Sequence, residues 1–220
     1  MSLRRAAAAA LLVVCAAAAH AQPVVLINEG FNNVATLPAS GWILTNASTP
    51  LGSTGWFQGL PAASGFFDAQ SGAANSYVAA NFNNAAPGGT IANWLISPAF
   101  TTEVAGSVTF WARAAQDEGF ADHLAWGFSG GGSALGDFTL GAPQTIGADW
   151  TQFTIHYTAH GIGATGRFAI EYVGLGDASN YVGVDTFAVT AAVPEPETWA
   201  LMVLGLASLG VVARRRKTPR

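Results

Sequence analysis

Asp185 is the carboxylate whose setting most needs a physical reason. It lies in Tyr181-Val182-Gly183-Val184-Asp185-Thr186-Phe187-Ala188-Val189, where strict alternation puts it on the face of Tyr181, Phe187 and Val189. A carboxylate on an apolar face is costly unless hydrogen bonds or a metal ion compensate it. If the first and last strands of the fold lie side by side, Glu29 comes near Asp185, and two hard carboxylates with backbone carbonyls suit calcium. The alternative is a structural carboxylate that accepts backbone amides. A second group, Asp117-Glu118-x-x-x-Asp122-His123, offers four potential ligands for a divalent cation but fits neither an EF-hand loop nor a zinc-binding helix, and a solvated loop is the favoured reading. His156 and His160 show no partner in the sequence and read as surface or strand histidines.

The segment from Asn28 to Ala74 is rich in Gly, Ser, Asn and Ala yet carries Trp42, Trp56, Phe57, Phe66 and Phe67. Exposed rings on loops stack against sugar faces, with Asn and Gln supplying hydrogen bonds. Rings that plug the open ends of a sandwich are the other reading, since each buries ~150–250 Å². Trp42 and Trp94 are assigned to the core, and Trp56 and Phe57 are the candidates for ligand contact. No Gly-x-Ser-x-Gly, His-Glu-x-x-His or Cys/His arrangement occurs, so no catalytic residue is assigned.

The elements that must position these residues have a period of two. Val108, Phe110 and Ala112 alternate with Thr109, Trp111 and Arg113; Phe153, Ile155 and Tyr157 alternate with Thr154 and His156; Phe168, Ile170 and Tyr172 alternate with Ala169 and Glu171. Leu124, Trp126 and Phe128 continue the pattern, and shorter strands are expected at 24–27, 42–44, 77–82, 94–97 and 181–189. Pro87-Gly88-Gly89, Gly130-Gly131-Gly132, Gly161-Ile162-Gly163 and Gly174-Leu175-Gly176-Asp177 read as turns. Many short strands, glycine-rich turns and no amphipathic helix predict an all-β domain, a jelly-roll-like antiparallel β-sandwich.

Both ends of the chain carry addresses. Arg4-Arg5, the apolar run from Ala6 to Ala19 and Ala19-His20-Ala21 form a secretory signal peptide over residues 1–21. At the other end, Pro194-Glu195-Pro196 cannot extend a helix, the stretch from Trp199 to Ala213 is apolar, and Arg214, Arg215, Arg216 and Lys217 follow. This predicts a single short C-terminal transmembrane helix with its basic end in the cytoplasm. Residues 22–193 between them hold no cysteine and set two arginines against eleven carboxylates, a net charge of −9 with histidine neutral. Such a field disfavours nucleic acid and anionic membrane surfaces and attracts cations.

The tail, residues 194–220, resembles the PEP-CTERM sorting signal of Gram-negative bacteria that make exopolysaccharide, on Pro194-Glu195-Pro196, Leu204-Gly205-Leu206 and Arg214 to Lys217. The resemblance implies recognition and cleavage near Pro-Glu-Pro by an exosortase-type membrane protease. Residues 22–193 resemble the choice-of-anchor J domain, on Glu29-Gly30-Phe31, Leu37-Pro38-x-x-Gly41-Trp42, Asn93-Trp94-Leu95-Ile96-Ser97-Pro98, Phe110-Trp111-Ala112-Arg113, Trp150-Thr151-Gln152-Phe153 and Gly183-Val184-Asp185. That family looks like a relative of the MAM-type jelly rolls and of cleaved-adhesin domains, and since some cleaved-adhesin domains bind calcium the resemblance favours that ion; it brings no catalytic residues. His123 departs from its pattern, which has arginine after the aspartate.

Together these readings describe a protein exported through the inner membrane, held there by its C-terminal helix until processing, and then resident at the cell surface or in the extracellular matrix. The expected role is non-catalytic adhesion or polysaccharide binding. The alternatives are a glycoside hydrolase or lyase working through a carboxylate pair on the same scaffold, and a purely structural matrix component.

Overall fold

The computed structural model describes residues 22–193; the expected signal peptide and the tail from Pro194, with its expected membrane helix, lie outside the described residues. Fourteen strands are formed there: β1 (Val24–Glu29), β2 (Ile43–Asn46), β3 (Thr49–Leu51), β4 (Phe57–Gln58), β5 (Val78–Asn81), β6 (Ala85–Ile96), β7 (Phe100–Thr101), β8 (Gly106–Ala114), β9 (His123–Ser129), β10 (Thr139–Leu140), β11 (Gln144–Thr145), β12 (Thr151–Tyr157), β13 (Thr165–Leu175) and β14 (Tyr181–Ala191). Helical segments among the described residues are short 3₁₀ turns, and none is long and apolar enough to cross a membrane.

Two antiparallel sheets result. The first has the order β12-β8-β14-β5-β4, with β1 also paired to β14; the second has the order β10-β9-β13-β6-β2, with β11 on β9, β3 on β6 and β7 on β13. This is the expected jelly-roll-like sandwich. Strands of period two leave one face of each sheet apolar, and burying those faces against each other closes the core. Val108, Phe110 and Ala112 of β8 and Val184, Phe187 and Val189 of β14 meet Leu124 of β9 and Phe168, Ile170 and Tyr172 of β13. Phe110 is fully buried, with its ring centroid 5.3 Å from Trp126, 5.4 Å from Phe153 and 6.0 Å from Phe168.

The Leu37-Pro38-x-x-Gly41-Trp42 motif shows how local chemistry delivers a core residue. Asn33 caps the 3₁₀ turn Val34–Ser40 by accepting from the Ala35 amide, and Gly41 ends it in the left-handed region at φ 86°. The Trp42 amide then donates to the Leu37 carbonyl, and its ring drops between Phe31 and Phe187 at 5.4 and 4.9 Å.

One expected turn is corrected. Pro87-Gly88-Gly89 lies inside β6, where Thr49 of β3 faces Thr90 and Leu51 faces Ala85. Two steps on β3 therefore oppose five on β6, and the extra residues bulge out, with Gly88 at φ 72°. A proline has no amide to lose from the ladder at such a bulge.

Replacing Phe110 by alanine should lower the unfolding free energy by about 3–5 kcal/mol, because three aromatic neighbours face the resulting cavity. Denaturant titration of the variant against the parent measures this; a loss under about 1 kcal/mol would contradict the assigned core.

Candidate functional site

Strand β14 is shared. Tyr181 to Val184 pair with β5 on one edge, and Phe187 to Ala191 pair with β1 on the same edge, while β8 runs along the other. Asp185 stands at the gap between β5 and β1. The register breaks between Asp185 and Ala188, and Thr186 takes a φ of 48°, a strained setting for a β-branched residue. This bulge corrects the simple alternation: Phe187 and Val189 turn into the core, whereas Asp185 stays in register with Trp111 on the outer side of β8.

Asp185 is nonetheless fully buried, under the segment around Gln70. Its Oδ1 accepts from the Thr186 amide and its Oδ2 from the Ser71 amide at 3.0 Å. Burial pushes its pKa up, and the amides oppose that shift. Glu29 pairs with Phe187 across β1 and β14, two positions along from Asp185 and on the core-facing side that Phe187 takes. Its Oε1 accepts from the Phe31 amide at 2.8 Å, and Phe31 is the other non-glycine residue at positive φ among the described residues. Each carboxylate of the pair thus holds a turn whose backbone is strained. Among the described residues no group of three or more His, Cys, Asp or Glu side chains converges as a metal site.

Asp122 is not in a solvated loop. It is 1% exposed and accepts from the Tyr172 hydroxyl, the Asn180 amide at 2.8 Å and the Tyr181 amide at 3.2 Å. It fastens β13 and the start of β14 to the segment before β9, and burial raises its pKa against those donors. Asp117 accepts from the Asn180 side chain beside it. On the outer side of the second sheet, burial raises the pKa of Glu171 to about 7, against the opposing pull of the Trp94 side chain.

The aromatic residues of the early segment divide. Phe67 stacks on Tyr77 at 5.2 Å and meets Trp150 and Tyr181 edge-on, with the Arg113 guanidinium 4.7 Å from its ring centre. Gly183 lies beneath, where a Cβ would come within 2.9 Å of both Phe67 and Tyr77. Trp56 is 7% exposed and belongs to the core, which removes the exposure on which its assignment as a contact residue rested. Phe57 is half-buried, 6.0 Å from Tyr181. Both line a shallow groove of about 380 Å³ with Pro38 and Leu44.

A hollow of about 740 Å³ lies elsewhere, at one end of the sandwich. Phe128 of β9, His156 and Tyr157 of β12, and Thr102, His160 and Gly163 of the loops line it. The Tyr157 hydroxyl donates to the Thr190 carbonyl at 3.1 Å, and its ring packs 5.5 Å from Phe100 and 5.9 Å from Phe128. The loop beyond β12 is tied down by amide bonds from His160 to Thr102 and from Thr102 to Ala164. Thr102 is 3% exposed, and its hydroxyl has no protein partner. Both histidines are exposed, His156 on β12 and His160 on the loop beyond it, as the sequence reading has them; the opening they share was not foreseen. The available signal was positional: Tyr157 turns inward at the end of β12, so His156 and the loop carrying His160 must flank the same opening.

Residues 192–217 match the PEP-CTERM protein-sorting motif, beginning one residue after β14 ends. No curated protein matches the chain. Among solved structures, the K3 cleaved adhesin domain of Lys-gingipain from Porphyromonas gingivalis W83 superposes with a TM-score of 0.58 at 20% identity, over 77% of this chain and 99% of that one. The K1 cleaved adhesin domain of the same protein gives 0.55 at 23% identity, over 75% and 97%. At these identities the likeness is one of fold.

Glu171 yields a pH test. A carboxyl group whose pKa is raised on folding stabilises the protein fully below its unfolded pKa, and that contribution is lost as pH rises through about 7. Stability should therefore fall between about pH 5 and pH 8, and Glu171→Gln should flatten that part of the curve. Parallel denaturation curves for parent and variant across this range would refute the assignment.

Proposed function

We propose that the chain is an exported, non-catalytic binding domain of the choice-of-anchor J type, sorted by an exosortase-type protease and delivered to the cell surface or extracellular matrix, where it binds polysaccharide. The observation that carries this reading is the sorting motif that begins at Ala192, directly after the last strand of a sandwich shared with cleaved adhesin domains. The end cavity supports a binding role. Its lining offers aromatic rings, two histidines and glycine-rich backbone, and no carboxylate. Two-carboxylate glycoside hydrolysis would need a pair flanking the bond to be cut. The buried carboxylates Asp122 and Asp185 are instead committed to backbone amides.

In a host that carries an exosortase-type protease, the exported protein should lose a C-terminal epitope and fractionate with extracellular polysaccharide. Exchanging Pro194, Glu195 and Pro196 for alanine should keep the epitope and hold the protein in the membrane fraction. Loss of the epitope regardless of that exchange would overturn the sorting assignment.

Calcium at Glu29 and Asp185 is proposed as a structural partner. Both donors are hard oxygen, which suits the ion in chemical type, and the bonds to Phe31, Ser71 and Thr186 leave lone pairs on each; pairing with Phe187 puts Glu29 on the core-facing side and Asp185 lies on the outer side, so sharing one ion would require the Asp185–Thr186 bulge to rearrange. A ligand that binds only the folded state raises stability by mass action. Calcium should therefore raise the melting temperature relative to chelator, and Asp185→Ala should abolish the difference. Superimposable parent curves in calcium and chelator would retire the ion.

A further inference from the structure

The first sheet has two kinds of outer face. Around Tyr181 and Gly183 it is covered by Phe67 and its aromatic neighbours. Beyond Asp185, along β14, β8 and β12, the face carries no such cover, and register gives its composition. Trp111 pairs with Gln152, and Thr109 pairs with Thr154. Ser107 pairs with both His156 and Thr190, and the Ser107 and Thr190 hydroxyls lie 3.0 Å apart, which fixes them on one side of the sheet. Val108 and Phe110, between these rows, point into the core. Gln152, Thr154 and His156 are exposed, and Trp111, Thr109 and Ser107 half-buried.

None of these positions carries a fixed charge, although residues 22–193 hold eleven carboxylates. Trp111 forms no aromatic pair among the described residues, unlike Trp42, Trp94, Trp126 and Trp150, whose rings pack against other rings. From Trp111 to Ser107 the strand advances about 14 Å at roughly 3.4 Å per residue. The rows end at a hollow of about 360 Å³ lined by Ser107, His156, Tyr157 and Thr190, and His156 and Tyr157 also line the end cavity.

We propose that this face is the platform for a neutral polysaccharide chain, stacked on Trp111, hydrogen-bonded across the Thr109–Thr154 row and led past His156 toward the end cavity. The proposal rests on the polysaccharide reading above and names its surface and ligand class. Charge selects the occupant. An anionic polymer meets the field of a domain at −9, whereas an uncharged polyol does not and finds hydroxyl and amide partners along the rows. A ring face beside such partners is how an apolar surface fixes a sugar's orientation.

Affinity electrophoresis of the full chain in detergent, through native gels containing a soluble neutral β-glucan, a neutral galactomannan or anionic alginate, tests this. Retardation is expected in at least one neutral gel. Trp111→Ala and, independently, Thr154→Asp should each weaken it at least tenfold, while Thr139→Asp on the second sheet should leave it within twofold. Thr154 is exposed, so its variant reads the face even if Trp111→Ala unfolds. Retardation of the parent by a neutral polymer that Thr154→Asp leaves unchanged overturns the platform and spares the polysaccharide reading. No retardation of the parent, or retardation by alginate alone, overturns both. A dimer of the parent that Thr154→Asp splits, without retardation, reassigns the face to a second copy of the chain.

Discussion

The gap between β5 and β1 on one edge of β14 is the constraint around which the first sheet is organised. A strand bordered by two shorter neighbours end to end leaves backbone groups without ladder partners where the neighbours meet. The chain fills that gap with the Asp185 carboxylate, which takes the Thr186 amide from its own strand and the Ser71 amide from the segment packed over it. Thr186 also donates its hydroxyl to Gln70. The covering segment is therefore pinned at its far end by the residues that close the gap. Its near end carries Phe66 and Phe67 onto Tyr77 and Tyr181, so a local repair of the sheet also fixes an aromatic layer on its outside.

That layer decides which part of the sheet remains open. Gly183 leaves room for two rings to lie against the backbone, and Arg113 stacks on one of them. One row further along, Trp111 occupies the register position beside Asp185, and the face changes to hydroxyl, amide and imidazole groups. The carboxylates that are buried answer local demands for acceptors, Asp122 at the start of β14 and Asp185 at its bulge. Acidic residues thus supply structural bonds and a long-range field without placing charge on the bare rows.

Strands were legible in the sequence because each exposes one face to the core, and a period of two survives in Val108-Phe110-Ala112 or Phe168-Ile170-Tyr172 whatever the neighbours are. Bulges were not. Pro87-Gly88-Gly89 carries turn chemistry, yet β3 lies opposite and turns the excess into a bulge within β6. Asp185 and Thr186 break the alternation for a reason that lies outside the segment, in the positions of β1 and β5. The same limit applied to Asp122, whose donors come from Tyr172, Asn180 and Tyr181, some fifty to sixty positions on in the chain. Trp56 reads as a loop ring by composition, but it joins the core beside the turn that Asn33 and Gly41 frame. The end cavity is assembled from β9, β12 and loops before β8 and β13, and no local motif encodes it.

The end that carries the hollows is also the end where the chain leaves the sandwich. Ala191 pairs with Val24 on one side and Gly106 on the other, and Gly106 pairs with Tyr157, so both termini of the fold border the same opening. Ala192, the first residue of the sorting motif, itself lines the smaller hollow with His156 and Thr190. A cut near Pro194 to Pro196 would leave a new carboxylate terminus a few residues from that hollow. Sorting and the proposed binding then share a boundary: the first residue of the sorting motif lines the same hollow as His156 and Thr190, where the platform rows end.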